Sequence, residues 1–455
     1  MKVELKSYPA YKPSENLWIA EIPGEWGAWR LRFIAPLQGG FAFPSSQFSF
    51  EGIPVVRMTN LKRGAIDLTD AACVPSGPDR FALKPNDLLL GMSGSIGETG
   101  SLGNYAEVGE QDVPSFLNQR VGRFLPKSNL NRVFLKYLLQ SKLFTEPLLI
   151  DVTGTAQFNI SPGQVGNIRA PLPDTTTQQQ IVAFLDRETA KIDRLMAVRR
   201  KQVERLQEQR TAVIHHAVTR GLDPNAKLKP SGHPWLEEIP KHWQTFRLKF
   251  LSKLNPTKSN SGYSPTSTDE VVFLPMECVS TDGKMDQMNR ERVCDLWKGF
   301  TYFAQGDVLV AKITPCFENG KGALTSSLET EVGFGTTEFH VIRSGRKLVR
   351  EFLYLITASY RFRGIGERFM TGAAGQQRVS EQFIADFPIA LPPEQEQLEI
   401  VDYVAAETGR LDTLTAKYRR ELELLAEYRA SLISHAVTGK IDVRGLVPTY
   451  DPERP

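Results

Sequence analysis

Twelve side chains that can bond base edges or phosphates fall on or beside predicted loops between residues 35 and 174. They are Arg57, Thr59, Asn60, Lys62, Arg63, Ser93, Ser95, Asn118, Gln119, Arg120, Gln157 and Asn159. Eight more do so between residues 252 and 391: Glu277, Lys312, Thr314, Thr337, Glu338, Gln376, Gln377 and Arg378. Arg and Lys fork onto guanine, Asn and Gln onto adenine, and Glu accepts from cytosine. Taken singly, each is an ordinary turn residue. As a set on matching loops of a duplicated chain, they point to reading of double-stranded DNA.

Catalytic chemistry finds no such support. The chain carries no HExxH, Walker A or GxSxG string. It also lacks an Asn/Asp-Pro-Pro-aromatic string; the nearest, Leu391-Pro-Pro-Glu394, opens a helix instead. Gly364-Ile-Gly366 and the glycines from Gly91 to Gly100 lack the strand–GxGxxG–helix context of a nucleotide fold. His216 and His435 sit in matched C-terminal helical turns, where a cation suits the helix dipole, so capping is their expected role. Cys73, Cys278, Cys294 and Cys316 have no CxxC spacing and read as reduced structural thiols, with no metal site. No catalytic residue and no cofactor are expected in this chain.

Two long amphipathic stretches must position the loops. From Gln178 to Asp223 there is no Pro, and apolar residues recur on a 3-4 spacing: Val182, Leu185, Ile192, Met196, Val203, Leu206, Val213 and Ala217. A helix of that length runs on the order of 60 Å and needs a partner for its seam. The partner is Gln397–Asp442, 219 residues on throughout, with Val401, Val404, Leu411, Tyr418, Leu422, Leu425, Leu432 and Ala436 in its seam. Residues 175–221 carry nine bases and five acids, a charge of +4, whereas 394–440 carry six bases and nine acids, a charge of −3. Complementary charge favours pairing of the two helices with each other over self-pairing. Arg210 and Arg429 share one seam position, either to fix register or to snorkel to water; the spacing leaves both open.

The duplication extends beyond the helices. WIAEIPGEWGAWRLRFI at 18–34 returns without a gap as WLEEIPKHWQTFRLKFL at 235–251. Its tryptophans around an Ile-Pro corner predict a segment that docks a domain onto the base of a helix. Residues 35–174 read as mixed α/β, with strands at Ile53–Arg57 and Asp87–Leu90 and one amphipathic helix from Arg132 to Phe144. The same order returns from 252 to 391 with a poorly matched interior. A near-identical frame around divergent interiors suggests one scaffold with two binding specificities. The expected fold class is α+β. Two tandem mixed α/β domains are separated by two long antiparallel helices that form an intramolecular coiled coil with pseudo-twofold symmetry.

The expected boundaries are a polar arm at 1–17, a domain at 18–174, a helix at 175–221, a polar, Pro-rich linker at 222–234, a domain at 235–391, a helix at 392–438 and an exposed tail at 439–455. A chain of 455 residues suits two or three domains. No apolar run is as long as a membrane span and no signal-peptide core is present, so a cytoplasmic location is expected. The net charge of +3 is low for a chain that holds DNA alone by neutralising phosphates, so other subunits would supply much of that charge.

The doubled set resembles the specificity subunits of type I restriction–modification systems. The matching residues are Trp…Glu-Ile-Pro…Trp…Arg-Leu at 18–31 and 235–248 and Asn/Gly-Asp-Leu/Val-Leu at 86–89 and 306–309. They continue in the Leu-Pro exits before Gln178-Gln-Gln-Ile-Val182 and Glu396-Gln-Leu-Glu-Ile-Val401, and in Ala-Val-Thr-Arg/Gly at 217–220 and 436–439. The first copy departs in having Thr177-Gln178-Gln179 where the family usually has Pro-x-x-Glu-Gln. The resemblance implies two target-recognition domains, each reading one half of a bipartite DNA site. It implies helices that set the unread gap and dock two methyltransferase subunits, which bind S-adenosylmethionine and methylate adenine, with translocase–nuclease restriction subunits added. The alternatives are a self-sufficient DNA methyltransferase, which needs a cofactor pocket, and a coiled-coil protein scaffold, which predicts no salt-dependent DNA binding.

Overall fold

The structure is a computed structural model that describes residues 6–16, 18–95, 100–150, 158–373 and 375–446. It divides into two compact units, residues 1–199 with 420–455 and residues 200–419.

In the first unit a four-stranded antiparallel sheet runs in the order Tyr105–Glu107, Leu88–Gly91, Val121–Phe124, Leu37–Gly39. Its central strand is a Leu88-Leu89-Leu90 run because both faces are covered. Leu88, Leu90 and Phe124 face a core that holds the helices. Leu89 and Val121 face a smaller core on the other side. Over that second side lies a three-stranded sheet, in which Ile53–Val56 pairs parallel with Phe116–Leu117 and antiparallel with Cys73–Val74. Gly27–Arg30 pairs with Arg169–Leu172, joining the start of the domain to its end.

The helical side carries α1 (Arg132–Gln140) and α2 (Lys142–Ile150). One helix to Phe144 was expected, but the chain turns at Ser141, which is extended and donates its hydroxyl to Leu138 O at 2.6 Å. That local bond competes with continuation of the helix. Asn131 opens α1 by accepting from the amides of Val133 and Phe134.

The second unit repeats this plan. Its sheet runs Gly322–Leu324, Val308–Ala311, Phe339–Ser344, Ser252–Leu254. Val308 and Val310 face the helical core, and Leu309 and Ala311 the opposite one. Glu270–Leu274 again pairs parallel with its neighbour, Val332–Gly335, and Thr301–Ala304 extends that sheet by one strand. The helix pair is likewise split at a buried serine, Ser359.

The long helices are α3 (Thr175–Arg220) and, in the second copy, a helix over Glu394–Val437, called α6 after α4 (Arg350–Ala358) and α5 (Tyr360–Arg368). Within the first unit, Asp193 meets Arg429 at 2.9 Å and Arg199 meets Glu421 at 2.7 Å. As one number rises the other falls, so the helices run antiparallel. Within the second unit Arg210 meets Asp412 at 3.0 Å. Asp193 and Asp412 occupy one repeat position and Arg210 and Arg429 another, so the same cross-helix contact is made twice. Both arginines bond a facing carboxylate.

The seam is uneven. Leu185, Ile192, Met196, Val404, Leu411 and Leu432 are buried, whereas Val182, Val203, Leu206, Val213, Val401, Tyr418, Leu422 and Leu425 are half-buried. Near the helix ends Ile181, Phe184, Ile214, Val218, Ile400 and Ile433, outside the expected seam, are buried as well. There a domain covers a second side of the helix, so the apolar stripe widens beyond a two-helix seam.

Each helix start is held by a buried glutamine. Gln178 accepts from Asn131 N at 2.7 Å and donates to Asn129 O and Pro173 O at 2.9 and 2.8 Å. Gln397 accepts from Val349 N at 2.8 Å and donates to Lys347 O and Pro392 O, both at 3.0 Å. Each helix end turns on a glycine with φ near +74°, Gly221 or Gly439, against the tryptophan of an opening segment, Trp243 or Trp26.

Three connecting segments differ from expectation. The arm contributes a buried Tyr8 against Trp26 and a strand, Tyr11–Asn16, paired with Ile19–Pro23. The linker contains Leu228–Pro230, paired with Glu238–Pro240. The tail is packed as far as residue 446. Ile441 and Val443 enter the core, and Arg444 lies over the Tyr8 ring while binding Asp442. Apolar residues at alternate positions after the Gly439 turn account for this docking.

Candidate nucleic-acid interface

Backbone hydrogen bonds bring four loop segments to one corner of the first domain. Asn118 N donates to Val56 O, Met92 N to Arg120 O, and Ile160 N to Met92 O, at 3.2, 2.9 and 2.9 Å. The second domain builds the same corner. Thr336 N donates to Leu274 O, Lys312 N to Glu338 O, and Val379 N to Lys312 O, at 3.1, 2.9 and 2.8 Å. A short 3-10 turn follows the parallel strand in both, Met58–Asn60 and Met276–Cys278. The correspondence places Thr59 opposite Glu277, Gln119 opposite Thr337, Arg120 opposite Glu338, and Asn159 opposite Arg378.

In the first domain, Thr59, Lys62, Arg63, Ser95, Gln119 and Arg120 are exposed, and Arg57 is half-buried against the Phe48 ring. Arg120 donates to Asn159 Oδ1 at 3.3 Å, and Ser93 donates to the same oxygen at 2.7 Å. Three of the expected loop residues do not stand free at the surface. Asn60, Ser93 and Asn118 are buried, and their side chains serve the fold. Asn60 accepts from Arg57 N and donates to Asp67 O, and Asn118 accepts from Arg120 N. Polar side chains at tight turns close on their own backbone before they can offer anything outward. Gln157 lies outside the described residues.

In the second domain Glu277, Thr337, Gln376 and Arg378 are exposed, and Lys312, Thr314, Glu338 and Gln377 half-buried. Glu338 accepts from Arg378 Nε and Nη2, each at 2.9 Å. Those hydrogen bonds, with the nearby charges of Arg378 and Lys312, hold the Glu338 carboxyl below its ordinary range against the opposing effect of burial. Thr314 is tied to Gln377 through its amide and its hydroxyl, which fixes the turn. His340 lies beneath this corner with Nε2 3.0 Å from Val379 O, and burial lowers its pKa. Its position is absent from the loop set because it occurs inside a strand, where alternation reads as core packing.

The corner in each unit therefore has one backbone and two chemistries. The first offers cationic and amide groups, and the second an arginine clasped by a carboxylate with Lys312 beside it. Among the described residues, no three His, Cys, Asp or Glu side chains gather as metal ligands, and no helix is long and apolar enough to cross a membrane.

Residues 23–205 match the family model of the type I restriction modification DNA specificity domain. The chain is 35% identical over 202 residues to the type I restriction enzyme EcoEI specificity subunit of Escherichia coli, covering 44% of this chain and 33% of that one. It thus spans about a third of the length of that relative. It is 24% identical over 409 residues to the type I restriction enzyme EcoKI specificity subunit of Escherichia coli (strain K12), covering 86% of this chain and 82% of the other. A solved structure described as "Structural basis underlying complex assembly and conformational transition of the type I R-M system" shares the fold. Its TM-score is 0.66 at 16% identity, over 92% of this chain and 99% of that one.

Proposed function

We propose, from the premise that the chain belongs to the family of type I restriction–modification specificity subunits, that it is the DNA-recognition subunit of such an enzyme. Each domain reads one half of a bipartite duplex site, and the paired helices set the unread gap. The helices also dock two modification subunits, which bind S-adenosylmethionine and methylate adenine at N6, and with them the restriction subunits. The chain itself is non-catalytic, binds no cofactor and acts in the cytoplasm, where the DNA is.

The observation that carries this reading is the duplicated corner, with one backbone pattern and different exposed side chains in each domain. Two different readers on one scaffold suit an asymmetric two-part site. Phosphate contacts from the modification subunits would account for the small net charge of +3.

The test is to express the chain with its modification subunits and map methylated adenines genome-wide. Exchange of residues 35–174 for another interior is expected to change one half of the methylated sequence. A change in both halves, or in neither, refutes the assignment of one domain to one half.

A further inference from the structure

We propose that Arg120 and Arg378 each read a guanine of the half-site their domain recognises, with Asn159 and Glu338 as the residues that position them. This rests on the DNA-reading function above and names the base.

Both arginines are exposed at the matching corners. Arg378 gives its Nε and one arm of Nη2 to Glu338, at 2.9 Å each. That uses one edge of the planar guanidinium. The other edge, formed by Nη1 and the second Nη2 hydrogen, keeps two parallel N–H groups. Among the described residues, that edge is met by the Gln376 carbonyl, which accepts from Nη1 at 3.4 Å. Two parallel donors match the O6 and N7 acceptors of guanine in the major groove.

A phosphate is the wrong target for this arrangement. The Glu338 carboxylate is held ionised by Arg378, and it would repel a phosphate brought to the same guanidinium. Guanine O6 and N7 are neutral acceptors and meet no such penalty. A clasped arginine has also lost its rotamer freedom before binding, so less entropy is lost on contact. In the first domain the restraint is lighter. Arg120 leans on Asn159 Oδ1, which Ser93 fixes from the other side. The arginine comes from the loop before Val121 in one domain and from the segment before Val379 in the other. The two domains therefore approach their guanines from different strands of one scaffold.

The experiment uses the full chain in complex with its modification subunits, with selection from a randomised duplex library and adenine-methylation maps. Arg378→Gln and Arg378→Lys are expected to weaken preference for guanine about 10-fold or more at one base pair, in the half read by residues 235–391 only. Arg120→Gln does the same in the other half. Glu338→Gln keeps the same guanine but with reduced discrimination, the mark of a positioning residue. Thermal melts of each variant check the fold, and Arg378→Lys keeps the charge while losing the fork. An unchanged selected sequence refutes the proposal. So does a uniform loss of affinity for all sequences with a shallower salt slope, which marks a phosphate contact. If the unaltered complex selects no sequence at all, the DNA-reading function itself fails.

Discussion

Replacing Gln397 with methionine removes three hydrogen bonds and changes side-chain volume little. Gln397 is fully buried, and its amide meets Val349 N, Lys347 O and Pro392 O at 2.8 to 3.0 Å. Methionine fills a similar space, so the cavity term is small. The unpaired groups set the magnitude. A buried N–H left without a partner costs ~1–3 kcal/mol, and the two carbonyls add less, giving ~2–5 kcal/mol in all. For a unit of this size that lowers Tm by about 4–20 °C, at ~2–4 °C per kcal/mol. Calorimetry on the full chain, with hydrogen exchange read at Val349, measures both the loss and its place. Q178M makes the same loss in the first unit, with Asn131 as the exposed amide. A loss below ~1 kcal/mol, or an unchanged exchange rate at Val349, refutes the view that this glutamine holds the helix start to the domain.

Gly439→Ala places a Cβ 2.4 Å from Pro23 Cδ at a φ of +74° and is expected to destabilise the first unit by more than the ~1–3 kcal/mol of backbone strain alone. Gly221→Ala, whose Cβ meets Trp243 at 3.1 Å, costs less, and urea titration ranks the two. A double-mutant cycle on Arg210 and Asp412, both partly exposed, is expected to give a coupling of ~0.2–1 kcal/mol that fades in 1 M salt. His215 is held at a pKa of about 4, first by burial and then by Arg361. The unfolded chain binds that proton near pH 6.5, so stability from this group is present above pH 6.5 and is lost as pH falls toward 4. His340, lowered by burial, acts in the same direction, so His215→Phe flattens but does not abolish the acid-side slope of Tm in the second unit.

The frame was legible because it is written twice. A constant separation of 219 between the copies exposes both long helices and the salt-bridging positions Asp193, Arg210, Asp412 and Arg429, since any residue retained at that spacing marks a shared geometry. The break at Ser141 was not legible. Arg132–Phe144 keeps a helical apolar spacing through it, and the competing bond from Ser141 to Leu138 O is tertiary only in that burial makes it worth forming. Ile181 and Ile214 were missed as core because a two-helix seam predicts one stripe, whereas a domain docked on the helix adds another. At the corner, residue type selected Arg120, Asn159, Glu338 and Arg378 together with Asn60 and Asn118 and could not separate the groups left accessible from those turned inward. Chemically Asn60 and Asn118 are equally good readers, and only the tight turns reveal that they bond inward.

What the copies share and what they do not follow one physical rule. Gln178 and Gln397 are buried and make the same three contacts. Asp87 and Asp307 each accept from a backbone amide three residues earlier and from an arginine on the next strand, Arg123 or Arg343. Each pair sets one buried charge, Arg123 or Asp307, against a half-buried partner, so removing that partner is expected to lower stability. Arg120 and Glu338 occupy one backbone position at the surface and differ in sign of charge. Solvent stabilises the exposed Arg120, and the Arg378 clasp stabilises the half-buried Glu338, so neither charge is left uncompensated. On the proposed reading, stability would rest in groups away from the DNA and selectivity in the corner groups. The Asp87–Arg123 pair is accordingly expected to tolerate no exchange with the corner residues, and loss of it to lower Tm without shifting base preference.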